Sequence, residues 1–376
     1  MALTGCVAAG WVVPRAVTAK TVASSVARPV SQSAAASSPC PVAPKLNRRA
    51  KLRQLVVVGF RTESPAELKK VANTGVGGFM LLGNFATQAA ISTEVVPRIA
   101  AIKSGITATS PTQPWIAVDE EGGRVQRLVG LGRVPSARLL AKQAPEAITK
   151  TVAAHSAGVR ALGFNLNFAP VLDLDNRVDG VIASRSFSSD ATVAWNSASA
   201  YAVGLTSQNI VPVYKHFPGH GTANGDSHKV LPTTKSLATL KAGELTLFKK
   251  AIDQQPGQQT LMIMVGHLIV PGLSTSKTTA TSADPATYQL LRSMGFTGVA
   301  ITDALDMSAL SGIGTIGQRG AAAMIAGADV VLLTTVAQLE DTVDELDAAA
   351  TDGRLSIARI DEAWQRVWCH KVSLAR

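Results

Sequence analysis

A chain of 376 residues, 46% hydrophobic and 16% charged, can bury a large core and has an ordinary size for one barrel-type domain. Its net charge of +10 is concentrated: residues 1–54 carry Arg15, Lys20, Arg28, Lys45, Arg48, Arg49, Lys51 and Arg53 and no acid, so the rest is close to neutral. A nearly neutral body excludes a basic nucleic-acid-binding face, and no apolar run reaches the roughly 18 residues of a membrane-spanning helix.

Residues 1–50 are rich in Ala, Ser, Val and Pro and read as a disordered leader or linker. Leu3-Thr4-Gly5-Cys6 resembles a bacterial lipobox, although no basic region and no apolar region precede it. The leader also fits the composition of an organelle transit peptide. The expectation is an exported protein, in the cell envelope or secreted, with a lipid anchor on Cys6 if the true start lies upstream; a cytoplasmic chain is the alternative. Cys6, Cys40 and Cys369 are too widely spaced to read as a disulfide framework or a zinc knuckle.

From Leu55 apolar, strand-like runs recur at 55–59, 77–82, 115–118, 165–172, 210–214, 261–265, 298–302 and 329–333. Segments of helical spacing separate them, among them Ser236–Ile252 and Val336–Ala350. Eight strands alternating with helices predict a single-domain (β/α)8 TIM-type barrel over residues 51–376. An open doubly wound sheet would need a glycine-rich turn after the first strand, and Gly59-Phe60-Arg61-Thr62 offers none.

Barrel active sites lie at the C-terminal ends of the strands. Reading those ends gives Asp119, Asp173, Lys215-His216, His267 and Asp303 in turn. Asp303 can be a nucleophile or a helix cap; Asp306, three residues on, is the better expected cap, which leaves Asp303 for chemistry. The segment Ile210–His228, which ends in a glycine-rich loop, brings three of the six histidines together. An imidazole exchanges protons near neutral pH, so His228 with Asp226 two residues before it suits general acid/base work. The plainer alternative is a solvated loop histidine. A zinc site from His216, His220 and His228 is disfavoured because Pro218 and Gly219 break any helix that would align them. The run Asp119-Glu120-Glu121-Gly122-Gly123-Arg124 suits polyol recognition or an internal salt-bridge cluster. Asp119 and Arg127 are assigned to ligand, Glu121 and Arg124 to structure. Arg185, Lys215 and His216 are further hydroxyl-binding candidates, Asp173 a scaffold residue, and Trp364 and Trp368 a packing stripe.

The segments DEEGGRVQRL, GFNLNFAPVLDLD, RSF, KHFPGHG, DSH and ITDALDM, in that order, resemble glycoside hydrolase family 3, especially its single-domain bacterial β-N-acetylglucosaminidases of cell-wall recycling. The resemblance spans residues from about 52 to 370 and implies Asp303 as nucleophile, His228 as acid/base assisted by Asp226, and Asp119, Arg127, Arg185, Lys215 and His216 as sugar ligands. Many wider relatives are β-glucosidases that take an acid carboxylate from a second domain. With the chain ending at 376, the acid is expected from the barrel itself. The implied reaction is retaining exo-hydrolysis of β-linked N-acetylglucosaminides through a glycosyl-aspartate, with no cofactor or metal, by a monomer. Phosphorolysis, β-glucosidase activity and non-catalytic sugar binding are the alternatives. The glycine-rich loop further suggests that His228 enters the site only with substrate bound.

Overall fold

The computed structural model describes residues 40–106, 111–254 and 260–374. Eight parallel strands close into a barrel, confirming the expected fold: β1 (Val56–Phe60), β2 (Gly78–Leu81), β3 (Trp115–Val118), β4 (Leu166–Asn167), β5 (Val211–Phe217), β6 (Met262–Val265), β7 (Val299–Ala304) and β8 (Val330–Leu333), with β8 pairing back to β1. Barrel strands are covered on both faces, so they tolerate no polar alternation. Accordingly every residue of VVVGF in β1, MIMV in β6 and VVLL in β8 is buried.

Two strands differ from the sequence reading. β4 pairs only through Leu166–Asn167, because Pro170 has no N–H to give the ladder; Val171 rejoins as a single bridge to Lys215. β5 runs on past the expected Tyr214 to Phe217, so Lys215 and His216, expected at its exit, are buried residues of the strand itself. The Ser236–Ile252 segment is helical but breaks at Gly243, giving Leu237–Ala242 and Glu244–Gln254.

The last helix, Ile357–Leu374, crosses the N-terminal end of the barrel, opposite the expected site. There Asp329, fully buried just before β8, accepts from Arg292 Nη2 at 2.6 Å, Arg359 Nη2 at 2.5 Å, Arg366 Nη1 at 3.0 Å and the Ala300 amide at 2.9 Å. Burial alone would raise this carboxyl, but the three guanidiniums hold it below the usual carboxylate range. Removing one partner of such a group leaves buried charge uncompensated. Asp329→Asn is therefore expected to cost about 3–5 kcal/mol in urea unfolding, with kcat of the surviving folded enzyme unchanged.

The same helix corrects the reading of the cysteines and of the leader. Cys40 and Cys369 form a disulfide across 329 positions of sequence, a pairing that only the fold brings within reach. Around it the Ala43 amide donates to Gln365 Oε1 at 2.9 Å, and the indoles of Trp364 and Trp368 donate to Pro44 O and Pro41 O, both at 3.1 Å. The two tryptophans do pack, with ring centroids 5.9 Å apart, and they clamp residues 40–47. That stretch belongs to the docked body, so a disordered leader running to residue 50 does not fit it. Cys6 lies outside the described residues. No described helix is long and apolar enough to cross a membrane.

Candidate active site

At the exit of β3 the chain continues as a small ribbon, Glu120–Gly122 with Val125–Gln126. Extended backbone alternates its side chains. Asp119 and Glu121 thus face one cavity, and Glu120 turns the other way, into the helix layer. The turn needs Gly122: φ is +86°, and a Cβ there would lie 2.4 Å from Pro135 O. It returns Arg127 to the cavity, where Nη2 meets Asp119 Oδ2 at 3.2 Å.

Lys215, delivered by β5, bridges Asp119 Oδ1 at 2.9 Å and Glu121 Oε1 at 2.7 Å. Arg185 forks the Glu121 carboxylate, Nε to Oε2 at 2.7 Å and Nη2 to Oε1 at 2.8 Å. Burial would raise Glu121, yet Arg185 and Lys215 hold it far below its ordinary range; burial would lower Lys215, yet Asp119 and Glu121 hold it above its own. The result is an ionised wall of interlocked charge with fixed donors and acceptors.

Below the loop after β5, Asp173 gathers three bonds: His216 Nδ1 at 2.6 Å, the His216 amide at 3.4 Å and the His220 amide at 2.6 Å. His216 Nε2 in turn accepts from Arg185 Nη2 at 3.4 Å. Asp173 is thus the expected scaffold residue. Burial opposes its ionisation, and His216 first among its neighbours holds it below its ordinary value. His220 Nε2 reaches Ser227 Oγ at 3.2 Å, and Ser227 O accepts the Ala309 amide at 3.1 Å. Ser227 pins the DSH loop by these two bonds. His228, the next residue, stands free at the rim with its side chain 65% exposed and Nδ1 2.8 Å from Asp226 Oδ1.

Asp303 lies near the end of β7, its Oδ1 accepting the Ala304 amide at 2.8 Å. Burial opposes its charge, but His216, His267, the Ala304 amide and Lys215 hold its carboxyl below the ordinary range, so it is anionic at neutral pH. Beneath it His267 Nε2 meets Ala304 O at 2.9 Å and Nδ1 meets Ser282 Oγ at 2.7 Å. A carbonyl only accepts, so Nε2 carries the proton, and in the neutral ring that burial favours Nδ1 accepts from Ser282.

A cavity of about 340 Å³ is lined by Asp119, Arg127, Arg185, Lys215, His216, His228 and Asp303 together. Asp226 stands behind His228 in an adjoining chamber of about 460 Å³, whose wall also carries Arg124 and Arg177. All eight residues singled out in the sequence therefore converge at the C-terminal end of the barrel. Glu121, read as structural, is held by Arg185 and Lys215 and also lines the cavity, and Arg124 is structural as expected, donating to the carbonyls of Gly180, Val181 and Ile182. One secondary assignment fails. Asp306 caps no helix; it accepts from Thr334 Oγ1 at 2.9 Å, and Met307 precedes the following 3-10 turn. His220, Ser227, Glu120 and His155 were given no role in the sequence reading. Only the strand alternation through Asp119-Glu120-Glu121 hinted at one.

The profile of the glycosyl hydrolase family 3 N-terminal domain matches residues 48–369. The chain belongs to glycoside hydrolase family 3. Among curated family members it is 35% identical over 356 residues to beta-hexosaminidase LpqI of Mycobacterium tuberculosis, covering 92% of this chain and 87% of that one. The beta-hexosaminidase of Chromobacterium violaceum is 33% identical over 74% of this chain and 76% of its own length. A crystal structure of a family 3 glycosyl hydrolase from Mycobacterium smegmatis superposes with a TM-score of 0.78 at 36% identity, over 87% of this chain and 97% of that one. A family 3 β-N-acetylglucosaminidase from Paenibacillus sp. FPU-7 gives a TM-score of 0.78 at 29% identity, over 88% of this chain and 63% of that one.

The buried imidazoles are expected to make this family 3 barrel acid-sensitive. Burial pushes His220 down to about 4 and, with Lys371 beside it, His370 down to about 3. Both native values lie below the unfolded one, so between them the unfolded chain takes up protons that the native state refuses. Stability is then expected to fall as pH drops from about 6.5 toward 4, His220 alone contributing about 3 kcal/mol. Urea midpoints at pH 7, 5.5 and 4.5 measure it; a flat profile down to pH 4.5 would contradict the neutral-histidine picture.

Proposed function

We propose that this family 3 enzyme is a retaining exo-β-N-acetylglucosaminidase that releases terminal N-acetylglucosamine from β-linked glycans, with peptidoglycan fragments as its natural substrates. The observation that carries the reading is the sharing of one cavity by an anionic carboxylate, Asp303, and an Asp226-paired imidazole, His228. Asp303 attacks the anomeric carbon while His228 protonates the departing oxygen, forming a glycosyl-aspartate. His228 then takes a proton from water, which attacks the same carbon and frees the sugar with its configuration retained. Asp226 orients the ring and stabilises its charged form. The exposed position of His228 leaves it room to move onto the substrate from a loop anchored at Ser227.

Asp119, Arg127, Arg185, Lys215 and His216 hold the hydroxyl and acetamido groups of the sugar. Arg127 supports this role, since it lines the cavity with its guanidinium held against Asp119. The acetamido preference draws on the relatives named β-hexosaminidase and β-N-acetylglucosaminidase. The peptidoglycan assignment draws on the resemblance of the motifs from DEEGGRVQRL to ITDALDM to the cell-wall recycling enzymes of the family. We place the enzyme outside the reducing cytosol, a reading supported by the Cys40–Cys369 disulfide, since such bonds persist in oxidising compartments. The test is a panel of aryl β-glycosides. The N-acetylglucosaminide should be cleaved with far higher kcat/KM than the glucoside or xyloside; equal cleavage of the glucoside would overturn the substrate reading.

A further inference from the structure

Behind the sugar-facing wall lies a buried hydrogen-bonded pair, Glu120 and His155, that takes no part in the mechanism above. Glu120, 2% exposed between two cavity-facing acids, has every polar group engaged. Its Oε1 accepts the amides of Arg127 at 2.7 Å and Leu128 at 2.5 Å, closing the ribbon that carries Arg127 back to the site. Its amide donates to Asn167 Oδ1 at 3.0 Å, and its carbonyl accepts from Asn167 Nδ2 at 3.0 Å and from Tyr201 Oη. Its remaining oxygen, Oε2, meets His155 Nε2 at 2.8 Å. His155 comes from the helix Pro145–Leu162, a different layer of the barrel, and its side chain is 9% exposed.

We propose that His155 is a positioning residue for the glycosidase reaction: by fixing Glu120 it sets the ribbon register that places Arg127 against Asp119, and so sets affinity for the sugar. The inference rests on the proposed function. The linkage is mechanical and short. A carboxylate released by His155 can rotate, and the two amides it holds belong to Arg127 and its neighbour. Asp303 and His228 hang from β7 and from the loop after β5, so the reacting groups are not carried by this ribbon.

The experiment compares His155→Leu with His155→Gln, which keeps a donor near Nε2, on an aryl β-N-acetylglucosaminide. His155→Leu should raise KM by about 10-fold with kcat within about 3-fold, and His155→Gln should recover most of the loss. In an Arg127→Ala background, where the positioned group is already gone, adding His155→Leu should change KM by less than about 2-fold. A role in folding alone would lower kcat with the folded fraction and leave KM unmoved; that result, or fully multiplicative effects in the double variant, overturns the proposal. If the wild-type enzyme cleaves no β-N-acetylglucosaminide, the functional reading fails separately. The positioning claim is then judged on N-acetylglucosamine titrations: the same weakening, absent in the Arg127→Ala background, upholds it, and unchanged affinity overturns it.

Discussion

Replacing Asp303 with alanine is expected to cut turnover of an aryl β-N-acetylglucosaminide by about 10⁴-fold or more, while N-acetylglucosamine still binds. The size of the effect follows from chemistry with no substitute nearby. Asp119 and Glu121, also on the cavity, are tied up by Lys215, Arg127 and Arg185. Among the described residues no cationic side chain bonds Asp303, unlike these two acids; it accepts from the Ala304 amide. An anion left in that state keeps its lone pairs for carbon. Asp303→Asn should be nearly as inactive, because the amide preserves shape but removes the charge. A loss of less than about tenfold in either variant would mean that another group attacks the sugar.

Replacing His228 with alanine is expected to separate substrates by their leaving groups. A sugar leaving group needs a proton, so its cleavage should fall by about 10²–10⁴-fold. A nitrophenolate leaves without one, and formation of its glycosyl-enzyme should fall far less. The dependence of kcat/KM on leaving-group pKa should therefore steepen in the variant. Asp226→Asn should reproduce the trend in weaker form, since it keeps the ring but removes the charge 2.8 Å from Nδ1. An equal loss for all leaving groups would assign His228 to binding and not to proton transfer.

The barrel was legible because its strands are short, β-branched and doubly buried, a pattern that survives in sequence without help from neighbours. The exits of those strands then gave Asp119, Asp173, Lys215, His267 and Asp303 by arithmetic alone. Tertiary contacts hid the rest. Nothing local separates Glu121, which meets Arg185 from 64 positions away, from a surface acid. Asp306 looked like a cap because a helix was expected after it, but the chain makes a 3-10 turn beginning at Ser308. Cys40 and Cys369 carried no pairing signal until the last helix folded across the barrel floor. Glu120 and His155 sit in different layers, and only an alternation of side chains along an unrecognised ribbon pointed to them.

The central claim is a covalent bond between the sugar and one named carboxylate. Incubation with a slow-reacting fluorinated N-acetylglucosaminide bearing a good leaving group, followed by proteolysis and mass spectrometry, reads it directly. The account predicts one glycosylated peptide, containing Ile301-Thr302-Asp303, with fragmentation placing the sugar on Asp303. A label on Asp119 or Glu121, or inverted product with no adduct at all, would contradict it.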